Sequence, residues 1–225
     1  MALLDLRREG DVFVLTMNAG ENRFNRSFLT ALHAVLDEVE RSSGPAALVT
    51  TGGEEKFFSN GLDLAWLSGD GASEGAAFIA DFIRFLGRVF AFPIPTVAAI
   101  NGHAFAGGGM LAFAHDFRVM RADRGFLCFN EIDIKFPLAP GMTAIIKSRL
   151  TPPVSRDMIL TGARIGGNRA LELGIVDEAV PPGEVLPCAI ARAAALADKD
   201  RATYAALKRG LYRDVLAILE RGALE

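Results

Sequence analysis

The feature that most limits what this chain can fold into is the triplet Gly107-Gly108-Gly109. An apolar, β-branched run from Thr96 to Ile100 ends in Asn101-Gly102, the triplet follows, and a helix-like apolar stretch begins at Met110. Strand, glycine turn and helix start aim bare backbone N–H groups at one point in space. The expected occupant of that point is negative, or becomes negative during a reaction. Taken alone, the triplet fits a purely packing role as well. A dinucleotide loop is disfavoured, because the spacing is not G-x-G-x-x-G and no acidic residue clearly ends the next strand. A Walker A loop is excluded, since no Gly-Lys-Ser/Thr occurs.

The rest of the chain narrows the class. Its 225 residues contain no long polar linker and no break in composition. That predicts one sizeable domain with a C-terminal helical region, divided at residues 1–182 and 183–225. A chain of this length that is 51% hydrophobic can bury a full core unaided. A formal charge of −3 leaves no basic footprint, so a nucleic-acid partner is not expected. Cys128 and Cys188 match no metal spacing and read as thiols in a reducing compartment. His33, His103 and His115 form no zinc pattern, and no metal is expected. No secretory signal is visible, and no run reaches the ~18 apolar residues of a membrane span. Gly222-Ala-Leu-Glu225 is not a peroxisomal tripeptide. The expectation is a soluble cytoplasmic protein.

Periodicity sets out an α/β order. Leu3 to Arg8 and Asp11 to Met17 flank Glu9-Gly10 as a hairpin. Both faces of the second strand are apolar, which predicts cover on both sides. Helical stripes run over Ser27 to Ser42, capped by Asn25 or Ser27, and over Glu74 to Phe90. The stripe Phe78, Phe82 and Phe85 reads as core, with an acyl-tunnel wall (together with Trp66) as the sharper alternative. Strands are expected at 46–51, 96–100, 116–121 and 126–129, the last closed by Asn130-Glu131. Short helices follow from Pro140, then two longer ones over Glu184 to Ala197 and Arg201 to Leu219. No internal repeat is evident.

Three segments carry the chemistry: Phe58-Ser-Asn-Gly-Leu-Asp-Leu64, Asn101 to Leu111, and Asn130-Glu-Ile-Asp-Ile134. The first two hold a glycine turn after a strand. The third sets Glu131 at the end of an apolar strand, where lost hydration should raise its pKa toward that of a general base. Read alone, Glu131 fits a strand-end ion pair equally well.

In order and spacing these segments resemble the crotonase superfamily, also called the enoyl-CoA hydratase/isomerase family. Leu160-Thr-Gly-Ala-Arg-Ile165 leading to Ala170-Leu-Glu-Leu-Gly-Ile-Val-Asp177 adds to the likeness, which runs from about Leu3 to about Leu216. The resemblance implies a spiral of ββα units with a C-terminal helical region that trimerises, giving a homo-trimer or hexamer. It implies a coenzyme A thioester as substrate, with no permanently bound cofactor. It places the thioester oxygen between the N–H groups of Leu62 and Gly108. Asn60, Gly61, Asp63, Leu64 and Gly107 belong to those loops and are expected around the substrate, although Asp63 also reads as a helix-start residue. Arg23 and Lys208 are expected near the nucleotide phosphates, with a solvated lysine as the alternative for Lys208. A catalytic role for His103 is disfavoured.

Hydratases of this family use two glutamates. The first stands two residues beyond the triplet, where this chain has Leu111; the second stands at Glu131. Leucine can neither bind water nor move a proton, and Leu111 is expected beside the substrate, where it would help keep water out. One carboxylate suits migration of a double bond, and Asn130-Glu131 resembles Δ3,Δ2-enoyl-CoA isomerases. Another enolate reaction on a CoA thioester (hydration, hydrolysis or decarboxylation) is the alternative, and a non-catalytic acyl-CoA-binding protein is the second class. Asp133 would weaken the one-base argument if the strand continued through it.

Overall fold

Gly10, with φ +57, closes the expected hairpin between β1 (Leu4–Glu9) and β2 (Val12–Met17) in the computed structural model, which describes residues 2–223. Leu224 and Glu225, the end of the C-terminal tetrapeptide, lie outside the described residues. Helix α1 (Arg26–Arg41) follows, and Asn25 is its cap, accepting from the Phe28 N–H at 3.0 Å.

A three-step pattern then repeats. β3 (Ala47–Gly52) and β4 (Phe57–Ser59) lead to α2 (Leu64–Ser68) and α3 (Gly75–Phe90). β5 (Thr96–Ile100) and β6 (His103–Phe105) lead to α4 (Gly107–Ala114). β7 (Phe117–Arg121) and β8 (Leu127–Cys128) lead to α5 (Glu131–Ile134) and α6 (Pro140–Arg149). The first strand of each pair joins one sheet and the second joins another. With α7 (Pro152–Thr161), α8 (Gly167–Glu172) and β9 (Glu178–Val180), the large sheet has the order β1-β2-β3-β5-β7-β9, parallel from β2 onward. The small sheet is β4-β6-β8, also parallel. This is the expected spiral of ββα units.

β6 is an addition to the sequence reading. The strand that feeds the glycine triplet is β6, not β5, and the chain crosses between sheets at Asn101-Gly102. A Cβ on Gly102 would lie 2.3 Å from the Lys56 carbonyl oxygen, so only glycine permits that crossing.

Alternation along β2 is used on both faces, as expected. Phe13, Leu15 and Met17 enter the main core with Phe28, Phe82, Phe85 and Leu86. Val12 and Val14, with Val49, Val97 and Val119, meet Val185, Ala189 and Ala193 of α9 (Val185–Ala194) on the other face. Phe78, Phe82 and Phe85 are fully buried core, as their spacing indicated.

The expected helix from Arg201 to Leu219 is two helices, α10 (Arg201–Leu211) and α11 (Arg213–Arg221), broken at Tyr212. The Tyr212 ring packs edge-on against Phe90, 4.6 Å between centroids, and its hydroxyl accepts from Arg149. That anchorage turns α11 onto α3 and α6.

Lys208 departs from both readings made of it. It is neither solvated nor placed for a phosphate. Its side chain is 6% exposed; Nζ stands 2.9 Å from an Asp116 carboxylate oxygen and donates to the Phe92 carbonyl at 3.0 Å. Burial pulls its pKa below the ordinary value, against the opposing effect of Asp116. Asp116 also accepts from the backbone and hydroxyl of Thr96 and from Tyr204. The pair fastens α10 to the start of β5. Removing one partner of a buried pair leaves the other charge uncompensated, so Lys208→Ala should cost about 3–5 kcal/mol in urea unfolding. The double variant Lys208→Met/Asp116→Asn should recover most of that loss.

Candidate active site

The site is built where the glycine turns that follow β4 and β6, neighbouring strands of the small sheet, come together. The loop between β2 and α1 holds the first turn in place. Asn22 sits at φ +51, fully buried; its Nδ2 donates to the Phe58 carbonyl at 2.9 Å, and its own carbonyl accepts from the Ser59 hydroxyl at 2.8 Å. Phe24 N–H donates to the Gly61 carbonyl, and Asp63 N–H donates to the Phe24 carbonyl, both within 2.8–2.9 Å. This parallel bridge uses the groups on either side of Leu62. The Leu62 N–H is therefore turned away from Phe24, and among the described residues it has no hydrogen-bond acceptor.

The second turn starts α4. The triplet itself is the first turn of this helix, whose leading N–H groups have no partner four residues back. Ala106 precedes it at φ 49, ψ −121, a conformation that costs an alanine of the order of 1–3 kcal/mol and is kept by its surroundings. Its N–H is held by the Cys128 carbonyl at 2.8 Å. The far end of α4 is fixed by His115, whose Nδ1 meets the Leu111 carbonyl at 2.8 Å and whose Nε2 meets the Thr50 hydroxyl at 2.9 Å. A carbonyl only accepts, so Nδ1 carries the proton and Nε2 accepts. Burial lowers the His115 pKa to about 4, which keeps this link neutral.

The two turns touch. A Cβ on Gly108 would lie 2.2 Å from the Ser59 carbonyl oxygen, and one on Gly61 (φ +79) would lie 3.0 Å from the Gly107 nitrogen. Glycine is required on both sides of this contact.

Glu131 faces these turns across a cavity of about 270 Å³. Contrary to the strand-end reading, it opens the short helix α5, three residues beyond β8. Asp133 is two helical residues further on, does not line the cavity and leaves the one-carboxylate argument intact. Glu131 is 6% exposed, has no ion-pair partner among the described residues, and its Oε2 has no hydrogen-bond partner. Desolvation raises its pKa from the ordinary 4.5 to about 7, with its own backbone N–H opposing slightly. Among the described residues it is the only carboxylate lining the cavity.

Of the residues expected around a substrate, Arg23, Asn60, Leu62, Leu64 and Gly107 line the cavity with Glu131. Gly108 lies directly behind Gly107, against Ser59. Arg23 is engaged by Glu21 at 2.6 Å yet remains part-exposed at the cavity mouth. Three expectations need correction. Leu111 is in the core, because Ala106, Gly107 and Met110 take the cavity side of α4 and Leu111 is one residue further round. Asp63 takes its helix-start reading and not a place at the cavity: it caps α2, accepting from the Trp66 N–H at 3.0 Å, and lines a neighbouring depression. Lys208 is elsewhere, in its buried pair. His103 is also outside; its Nδ1 accepts from the Phe126 N–H. Trp66 packs on Phe78 and lines no part of the cavity.

Sequence reasoning did not assign Ala106, Met110, Asn130, Ile134, Phe136 and Met142 to the wall. Met110 and Asn130 adjoin assigned residues, and helical spacing from Ala106 would have found Met110. Nothing in the sequence places Met142, which α6 brings in from a distance.

The family model described as Enoyl-CoA hydratase/isomerase matches residues 7–223. Enoyl-CoA delta isomerase 2, peroxisomal, of Arabidopsis thaliana is 34% identical over 225 residues, covering 95% of this chain and 94% of that protein. Enoyl-CoA delta isomerase 3 of the same plant is 33% identical over 224 residues, covering 96% and 94%. The apo structure of the Mycobacterium tuberculosis enoyl-CoA isomerase superposes with a TM-score of 0.90 at 27% identity, covering 98% of this chain and 95% of that one.

The raised pKa of Glu131 sets a pH dependence of stability. The folded protein holds the proton more tightly than the unfolded chain. The stability tied to this group is therefore complete below about pH 4.5 and is lost as pH rises to about 7. Glu131→Gln removes that loss. The stability of the variant relative to wild type should rise by up to about 3 kcal/mol between pH 4.5 and 8 in parallel urea titrations, and a flat difference would contradict the burial of the charge.

Proposed function

The chain belongs to the enoyl-CoA hydratase/isomerase family, and on that premise we propose that it converts 3-enoyl-CoA thioesters into 2-trans-enoyl-CoA thioesters. The observation that carries this reading is that, among the described residues, Glu131 is the single carboxylate in a cavity lined otherwise by apolar side chains, amide groups and, at its mouth, Arg23. A base with a pKa of about 7 is half ionised near neutrality, which suits both removal and return of one proton.

In the proposed reaction the Glu131 carboxylate takes a proton from C2. The C–H electron pair becomes the C1–C2 π-bond of a dienolate, and the thioester oxygen takes up negative charge. The N–H groups of Leu62 and Gly108 donate to that oxygen; such preorganised donors are worth about 3 kcal/mol each in barrier. The protonated Glu131 then gives its proton to C4. The C2–C3 double bond forms, the thioester carbonyl is restored and the carboxylate is regenerated. No water takes part, and Met110, Ile134, Phe136 and Met142 supply the apolar wall that keeps it away from the dienolate. Hydration would need a second group to hold water, and no further carboxylate among the described residues lines the cavity. Arg23, at the mouth, is assigned to a phosphate of the coenzyme A moiety, for which it would exchange its Glu21 partner.

Self-association belongs to the same reading. Leu207 and Leu211 lie one turn apart on α10 and are 68% and 73% exposed among the described residues. A homo-trimer or hexamer would cover them. No helix among the described residues is long and apolar enough to cross a membrane. The relative named peroxisomal draws the compartment reading from the cytoplasm toward the peroxisome.

Wild-type protein should conjugate the double bond of 3-hexenoyl-CoA and 3-decenoyl-CoA in a spectrophotometric assay, with kcat/KM rising through about pH 7. Glu131→Gln should lose at least ~10²-fold in kcat, the usual contribution of a general base. Tight acyl-CoA binding without conjugation would refute the isomerase reading, and retention of more than about a tenth of the activity by the variant would remove Glu131 as the base. Sedimentation velocity should find a trimer or hexamer, and Leu207→Lys/Leu211→Lys should shift it toward the single chain.

A further inference from the structure

The cation at the mouth of the cavity is held by an anion that belongs to the chain itself. Glu21, in the loop between β2 and α1, stands on the ridge between the cavity and the neighbouring depression. Arg23 lines both spaces, Asn60 lines the first and Glu21 the second. One carboxylate oxygen of Glu21, Oε2, accepts from Nε of Arg23 at 2.7 Å and from Nδ2 of Asn60 at 2.9 Å, and it stands 2.6 Å from Nη2 of Arg23. Nitrogen atoms of two cavity residues thus converge on a single oxygen. The Asn60 amide above all, then Arg23 and Lys56, hold the Glu21 carboxyl below its ordinary pKa, against the opposing effect of burial. The group is an anion near neutral pH.

The backbone beneath this side chain is fixed. The Glu21 carbonyl accepts from the Asn60 N–H at 2.9 Å, and the next residue is the buried Asn22, clamped to Phe58 and Ser59. The carboxylate itself is not buried: the Glu21 side chain is 42% exposed and that of Arg23 40%. An exposed acid on a fixed backbone can release Arg23 and Asn60 by a change of rotamer alone, without moving either glycine turn. A pair exposed to this degree is worth no more than about fivefold in an equilibrium. A phosphate group, with at least equal charge and several acceptor oxygens, can therefore displace it.

We propose that Glu21 is a specificity-determining residue that stands in for a phosphate: its carboxylate holds Arg23 and Asn60 in the free protein, yields them to a phosphate of the coenzyme A moiety, and takes them back as the product leaves. The inference rests on the thioester reading of the cavity. The phosphates of the carrier are the same in substrate and product, so contacts to them hold both alike. Such contacts lower KM without raising kcat, and they slow departure of the product. A competing carboxylate on the protein offsets that grip. Bracing and competition differ in sign. If Glu21 only braced the loop, its loss would loosen Arg23 and Asn60 and weaken binding. If it competes, its loss frees both for the ligand and tightens binding.

Calorimetry on the full chain with three hexanoyl thioesters separates these outcomes. The carriers are coenzyme A, dephospho-coenzyme A, which lacks the 3′-phosphate, and pantetheine, which has no phosphate. At low salt Glu21→Gln and Glu21→Ala should each tighten hexanoyl-CoA binding about threefold to fivefold relative to the pantetheine thioester. The gain should vanish at about 1 M salt, where the Debye length falls to about 3 Å. It should also be absent when Glu21→Gln is made in an Arg23→Met background. A gain kept with the dephospho carrier assigns the contact to the pyrophosphate, and a gain lost there assigns it to the 3′-phosphate. KM for 3-hexenoyl-CoA should fall by the same factor with no rise in kcat. Unchanged or weaker relative affinity in both variants overturns the inference, and so does a gain that survives in the Arg23→Met background. If wild type isomerises no thioester but the affinities move as stated, the role of Glu21 stands and the isomerase reading falls.

Discussion

The structure depends on one close approach, that of the Ser59 carbonyl to the α-carbon of Gly108. A Cβ there would lie 2.2 Å from the oxygen. β4 and α4 belong to successive turns of the spiral, and this is where those turns meet. The buried Asn22 clamps the strand that carries Ser59, and the strained Ala106 and the neutral His115 fix the two ends of α4. With both sides held, two loops far apart in sequence bring Leu62 and Gly107 to the wall of one cavity. Any side chain at Gly108 would push these two turns apart.

Glu131 shows the opposite use of packing. Most buried charges here are matched: Lys208 by Asp116, Arg118 by Asp177. Glu131 has neither a cation nor a full set of donors, and its pKa rises to about 7 for that reason. An unpaired buried carboxyl is destabilising once ionised, and a protein can keep one only where the surrounding fold is stable enough to carry it. The same desolvation that costs stability raises the basicity of the group. Stability and reactivity at this residue are two consequences of one burial.

Local rules and long-range contacts divide the sequence reading between them. α1, α3 and β5 were legible because their signals are local: the Asn25 cap, the Phe78/Phe82/Phe85 stripe and an unbroken β-branched run. β6 was not, since three residues give too short a pattern and its pairing partners lie in the chain's previous and next turns. The break at Tyr212 escaped because amphipathic spacing continues across it; what bends the chain is the contact with Phe90 and Arg149. Lys208 was misread for a similar reason, because a lysine on an amphipathic helix is usually solvated and only the position of Asp116 makes it a buried anchor.

By itself, the sequence determined the glycine turns, the lone acid at 131, the apolar residue where a second acid would stand, and the family to which these belong. Each is a matter of residue type at a fixed spacing, and backbone freedom or proton affinity follows from residue type. Only the tertiary structure decided that Glu131 opens a helix rather than ends a strand, that Met110 rather than Leu111 faces the cavity, and that Lys208 serves the scaffold. Those outcomes depend on which surfaces exclude water, and that is settled when distant segments pack, not by any one segment's composition.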